Sequence, residues 1–148
     1  MAELTVFPVT NGDGMVDRSN ETTWAAARDA TDGDNAYDGD SVPSANDVGR
    51  SVRVSASATP LYDVERSFYP FDTSALGASA NISAAILSLK TNSEGVPDGD
   101  NDGDDFVNVY QTTQASSTGL VVADFDQIGT TAGSTAKDLS SAFTAEVY

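Results

Sequence analysis

The sequence predicts an all-β chain, a jelly-roll-like β-sandwich with one or two short helices, on three observations. Apolar residues recur at period two in several short stretches, clusters of Gly, Asn, Asp and Pro separate those stretches, and only two segments carry a helical signal. At 148 residues the simplest organisation is a single β-sandwich domain over residues 1–148, long enough to bury a core without disulfides or metal.

Taken in order, Leu4 and Val6 share one face of a first strand. Ser19 or Asn20 then caps a short helix, with Glu21 in its first turn and Thr-Thr-Trp-Ala-Ala-Ala-Arg running to Arg28, so that Trp24 packs over the end of a sheet. Val52, Val54 and Ala56 alternate as a strand. Residues 66–71 (Arg-Ser-Phe-Tyr-Pro-Phe) are extended, but Pro70 lacks a ladder donor and points to an edge or a bulge. The strongest core strand is expected over residues 81–90. There Ile82, Ala84 and Ile86 are in phase before the pattern shifts to Leu87 and Leu89, as a bulge or a strand buried on both faces requires. Val107 and Val109 mark another strand, residues 122–128 a second helical turn, and residues 114–118 and 129–135 polar loops.

Charge narrows the function. The chain carries 23 Asp and Glu against 7 Lys and Arg, a net charge of -16, and has neither His nor Cys. So few basic residues argue against nucleic acid, which needs a basic footprint. The usual general base, the usual zinc ligands and disulfides are all missing. Most of the acids are Asp, a residue of turns and metal loops. Cations are therefore the natural counterpart, although a strongly acidic surface also keeps a protein soluble in salty water, and composition does not separate the two.

The sharpest cation signal is residues 98–105, Asp-Gly-Asp-Asn-Asp-Gly-Asp-Asp. Asp98, Asp100 and Asp102 alternate and Gly103 follows, the D-x-D-x-D-G pattern of loops that wrap Ca2+ in hard oxygen ligands. An EF-hand would place a bidentate Glu at the twelfth position, but that position is Val109, in an apolar alternation. The loop is thus expected to open into a strand, with Asp98, Asp100 and Asp102 as side-chain ligands, Asp104 offering a carbonyl and Asp105 a closing carboxylate. A weaker second site is Asp32, Asp34, Asp38 and Asp40, with Asp29 nearby, and a third is Asn11, Asp13 and Asp17. Catalysis is not expected: a glycosidase acid needs an apolar pocket, whereas these carboxylates lie in polar, Gly-rich segments. Of the aromatics that might stack on a sugar, Trp24 and Tyr110 are expected in the core, which leaves Tyr37, inside the acidic stretch, as the ligand-binding candidate.

Residues 1–6 hold no basic segment followed by an apolar run, so no signal peptide is expected, and no later segment is apolar enough to insert into a membrane. A virion component released by lysis, or a mature extracellular protein without its leader, reconciles that with a Ser-, Thr-, Ala- and Gly-rich composition.

Residues 65–76 (Glu-Arg-Ser-Phe-Tyr-Pro-Phe-Asp-Thr-Ser-Ala-Leu) followed by residues 81–89 (Asn-Ile-Ser-Ala-Ala-Ile-Leu-Ser-Leu) resemble the DNRLRE-type, carbohydrate-binding-module-like jelly rolls of extracellular proteins and phage tail or virion proteins. Arg66, Phe71, Asp72, Leu76, Ile82, Ala85 and Leu87 or Leu89 occupy matching places, and the likeness spans residues 50–111. The namesake hexapeptide is absent, and residues 63–66 keep only its charge character. The resemblance implies that Phe71 and the following strand fill the sandwich and that Asp72 caps the turn at residues 73–76. It also implies a role in attachment or structure, localised to a virion, extracellular fibre or cell surface. Such modules usually continue beyond the place matched by residues 140–148, which predicts a sandwich short of closing strands that borrows one from a second copy, giving a homo-oligomer or fibre. The alternative is a carbohydrate-binding module holding a surface glycan.

Overall fold

The computed structural model describes residues 4–9, 11–38, 53–54, 61–87, 106–135 and 137–138, with backbone alone at 38, 53–54, 106–107 and 137–138. Among them the chain is all-β in character. Strands β1 (Gly14–Glu21), β2 (Asn35–Asp38), β3 (Arg53–Val54), β4 (Tyr62–Phe68), β5 (Phe106–Val107), β6 (Tyr110–Thr112), β7 (Ile128–Ala132) and β8 (Lys137–Asp138) are joined by one helix, α1 (Trp24–Arg28), and two 3-10 turns, η1 (Ser74–Leu76) and η2 (Val122–Asp126). The main sheet has the order β2-β1-β4-β3 with antiparallel neighbours. β5 pairs with β8, antiparallel, and β6 with β7. The chain divides into two compact units, residues 1–80 with 112–128, and residues 81–111 with 129–148.

The register of the main sheet sorts its side chains. Val16 stands opposite Arg66 and Ala36, and Gly14 opposite Phe68, so one face carries Val16, Val64 and Phe68. These three are buried with Ala27 of α1 and Phe125 of η2, and Ala30, Ala36, Tyr62 and Leu120 close around them. The opposite face carries Met15, Asp17, Ser19, Asn35, Tyr37, Glu65 and Ser67. At the start of β1, Gly14 has φ 148°, and a Cβ there would stand 2.0 Å from the Tyr37 carbonyl oxygen, so only glycine lets β1 and β2 come together at this register.

Several expectations are corrected. Residues 19–21 belong to β1 rather than to a helix: the register slips between Arg18 and Glu21, Asn20 adopts φ 60°, and its N–H donates to Asp63 Oδ1 at 2.7 Å. The helix cap is Thr23, whose Oγ1 accepts from the Ala26 N–H at 3.2 Å. Leu4 and Val6 form no strand, and the nearest pairing is a bridge between Pro8 and Phe71. β4 is an interior strand that ends before Pro70, so the proline terminates it and marks no edge.

The largest departure is at residues 81–87, which form no strand. Ile82 is 61% and Ile86 90% exposed, so the expected core strand is not there; its last positions, 88–90, lie outside the described residues. Phe68, not Phe71, fills the core, Trp24 and Tyr110, both expected there, are 37% and 40% exposed, and β7 takes the first residues, 129–132, of the loop expected at residues 129–135. The helical turn expected at 122–128 is present as η2, Trp24 meets Tyr62 at the head of β4 with ring centroids 6.4 Å apart, and Asp72 Oδ1 accepts from the Ser74 N–H at 2.9 Å, capping η1.

Candidate functional site

Asp98, Asp100, Asp102, Asp104 and Asp105 lie outside the described residues, and β5 begins directly after them at Phe106. The acidic segment thus runs into a strand.

Of the second acidic group, Asp40 lies outside the described residues, and Asp38 is placed by its backbone at the end of β2, opposite Gly14. Asp32 is exposed and accepts from Thr31 Oγ1 at 3.1 Å. Asp34 is engaged in tying β1 to the turn before β2. Its Oδ1 pairs with Arg18 Nη1 at 2.9 Å, its Oδ2 accepts from the Ser19 N–H at 2.8 Å, and its own N–H donates to the Asp17 carbonyl at 2.7 Å. In the third group Asn11 sits in an exposed turn with φ 64°, while Asp17 lies inside β1. Tyr37 is on β2, the outer strand of the described sheet, opposite Met15 and 38% exposed, so its ring is available to solvent.

The polar face of the main sheet brings together residues that the sequence keeps far apart. Asp17 stands opposite Asn35 on one side and Glu65 on the other. It is only 7% exposed. Its Oδ2 accepts from Ser19 Oγ at 2.6 Å and, in a long contact, from Asn35 Nδ2 at 3.4 Å, whereas Oδ1 is buried without a hydrogen bond. A row of oxygen-bearing side chains thus crosses three strands. Reading the sequence alone missed Glu65 entirely, because its only signal is the β1–β4 register, which no local pattern encodes.

The apolar face has a polar centre of its own. Arg66 lies with its guanidinium carbon 3.9 Å from the centroid of the Phe125 ring and donates to the Phe125 carbonyl and, at 2.7 Å, to the Arg28 carbonyl at the end of α1. Burial draws its pKa below the ordinary value, a shift opposed by Asp126 and Asp29. Nearby, the fully buried Asp124 accepts from the Ala115 N–H at 3.0 Å and the Val121 N–H at 2.9 Å. Both groups hold backbone in place.

Among the described residues no group of three or more His, Cys, Asp or Glu is placed to hold a metal ion, and no helix is long and apolar enough to cross a membrane. Compared with protein-family models, curated proteins and solved structures, the chain matches none.

Proposed function

We propose that this chain is a non-catalytic, calcium-binding jelly-roll module with a structural or attachment role on a virion (a tail or surface fibre) or an extracellular fibre, assembling with copies of itself. The observation that carries the reading is the D-x-D-x-D-G run at residues 98–103, placed directly before a strand in an all-β chain of net charge -16. Five carboxylates within eight residues repel one another, and a hard divalent cation relieves that repulsion.

The test is thermal. A cation bound only to the folded state stabilises it by RT ln(1 + [L]/Kd), about 2.7 kcal/mol at a hundredfold excess over Kd, so calcium should raise the melting temperature over EDTA by several degrees. Asp100→Ala with Asp102→Ala should remove the part of the shift that belongs to this loop. If that variant retains the parental calcium response in full, the loop is a solubilising surface and the reading fails.

The assembly part of the reading draws support from β2, a four-residue outer strand in the described sheet, since an outer strand offers backbone donors and acceptors to a neighbour. A monodisperse monomer by light scattering at micromolar concentration, with and without calcium, would refute it.

One observation favours a second reading, a carbohydrate-binding module: the solvent-accessible Tyr37 ring on that same outer strand. Glycan-array binding lost in Tyr37→Ala would establish it. A turnover on glycosides, esters or peptides that disappears when one Asp or Glu is amidated would displace both readings in favour of an enzyme.

A further inference from the structure

We propose that residues 82–86 are an interface between two copies of the chain, pairing with the same residues of a second copy as antiparallel strands about a two-fold axis at Ala84. The pairing presupposes that copies assemble, as proposed above, and assigns a contact between them to this segment.

Residues 82–86 have the pattern of a strand and the exposure of a contact surface. Ile82, Ala84 and Ile86 recur at period two, yet residues 81–87 belong to no strand, and every residue from 72 to 87 is exposed. Ile82 is 61%, Ile86 90% and Leu87 40% exposed. Large apolar side chains gathered on a stretch of backbone outside any ladder invite a strand from another chain.

Charge limits where two copies can meet. At a net charge of -16 they repel, and the repulsion is least where each offers no charged side chain. Residues 73–89 carry none. Residues 106–123 are also uncharged, but the strands within them are already paired, β5 with β8 and β6 with β7.

The occupant follows from the order of the residues. Alternate positions of the segment read Ile-Ala-Ile in either direction, so an antiparallel copy centred on Ala84 sets its Ile86 opposite Ile82, its Ile82 opposite Ile86 and its Ala84 opposite Ala84. Each isoleucine then gains a β-branched cross-strand neighbour, and the small alanines leave room between them. A partner of different sequence would have to supply this pattern, whereas a second copy supplies it by identity, in an isologous contact that two copies close. A two-stranded ribbon is marginal by itself, so the contact is weak and adds to whatever else holds the copies together.

The test exploits the absence of native cysteine. Ala84 and Ser79 are both exposed, so cysteine at either position leaves the fold intact. In EDTA, with oxidised glutathione as the oxidant, Ala84→Cys should form a disulfide-linked dimer at least about tenfold faster than Ser79→Cys, because directly opposite residues of an antiparallel pair lie within disulfide reach whereas the two copies of residue 79 lie beyond opposite ends of the ribbon. An equimolar mixture of Ile82→Cys and Ile86→Cys should favour the mixed dimer over either homodimer, which reports the register. Adding Ile82→Lys and Ile86→Lys to the Ala84→Cys chain should abolish its advantage, although a lower net negative charge hastens random collision. Amide protection at residues 82–86 should be slight in the dilute monomer and rise with concentration. Equal dimerisation rates for Ala84→Cys and Ser79→Cys in a chain that oligomerises overturn this proposal and leave assembly to another surface. Equal rates in a chain that light scattering shows to be monomeric refute the assembly reading with it. Protection at residues 82–86 that is already complete in the dilute monomer marks a strand formed within one chain and also overturns the pairing.

Discussion

Arg66 does more structural work than any other single charge in the described residues. Its guanidinium joins β4, the end of α1 and η2 through two backbone carbonyls and the face of Phe125. Arg66→Ala should therefore cost about 2–4 kcal/mol of stability in urea unfolding, the scale of charge-assisted hydrogen bonds plus a cation–π contact, and Arg66→Lys should recover less than half of it because an ammonium cannot span both carbonyls. Equal stability of all three chains would show that the guanidinium contacts are incidental. Two other residues contribute to the pH dependence of stability. Burial, reinforced by Asp13, pushes the Tyr69 phenol above its ordinary value, against a hydrogen bond with Ser67. The native state thus holds that proton more tightly than the unfolded chain, so the contribution is complete below about pH 10 and is lost as pH rises through the native value. The Asp72 carboxyl is held below its ordinary value by the Ser74 N–H and hydroxyl, so its contribution is present above about pH 4 and is lost as pH falls through the native value. Tyr69→Phe should flatten the alkaline limb of the stability curve and Asp72→Asn the acid limb; a curve unchanged in either variant refutes the corresponding assignment.

At the scale of elements, the competition between β1 and α1 for residues 19–23 is decided by the sheet. Ser19 and Asn20 are good helix caps in isolation, but the strand partner β4 supplies Asp63 to the Asn20 N–H and carries the chain past the bulge before a helix can begin. Thr23→Ala should therefore destabilise by about 1 kcal/mol, and Thr23→Ser or Thr23→Asp should restore most of it. No change in Thr23→Ala would return the cap to an earlier residue. Gly14→Ala tests the same strand from its other end. The collision with the Tyr37 carbonyl forces β1 and β2 apart and should cost about 1–3 kcal/mol, measured by the same urea midpoint; a neutral result would show that the β1–β2 register is loose.

Across the whole chain, burial is uneven. Val16, Val64, Phe68, Ala27 and Phe125 form one buried cluster in the unit of residues 1–80 and 112–128, whereas Ile82 and Ile86, in the other unit, face solvent. Hydrogen exchange follows such differences, because amides in a paired, buried strand open only with large-scale unfolding. Amides of residues 15–18 and 64–67 should be among the slowest to exchange and those of residues 82–87 among the fastest, separated by several orders of magnitude. Slow exchange at residues 82–87 would reinstate the core strand expected there.

The all-β character was legible in the sequence because period-two alternation and turn clusters depend only on neighbours along the chain. The same local logic found η2, the Asp72 cap of η1 and the packing of Trp24 at a sheet end. It failed where the outcome depends on partners far away in sequence. β1 carries only two apolar residues, the adjacent Met15 and Val16, which show no alternation, and it becomes a central strand because β2 and β4 flank it. Residues 81–87 have the better strand pattern and form none, since alternation creates a strand only when another strand is there to pair with it. The same division holds for the candidate sites. The acidic loop at residues 98–105 can be read from spacing alone, as contiguous ligand loops always can. The meeting of Asp17 with Asn35 and Glu65 was decided by tertiary structure, because strand register, and not sequence distance, sets which side chains face one another across a sheet.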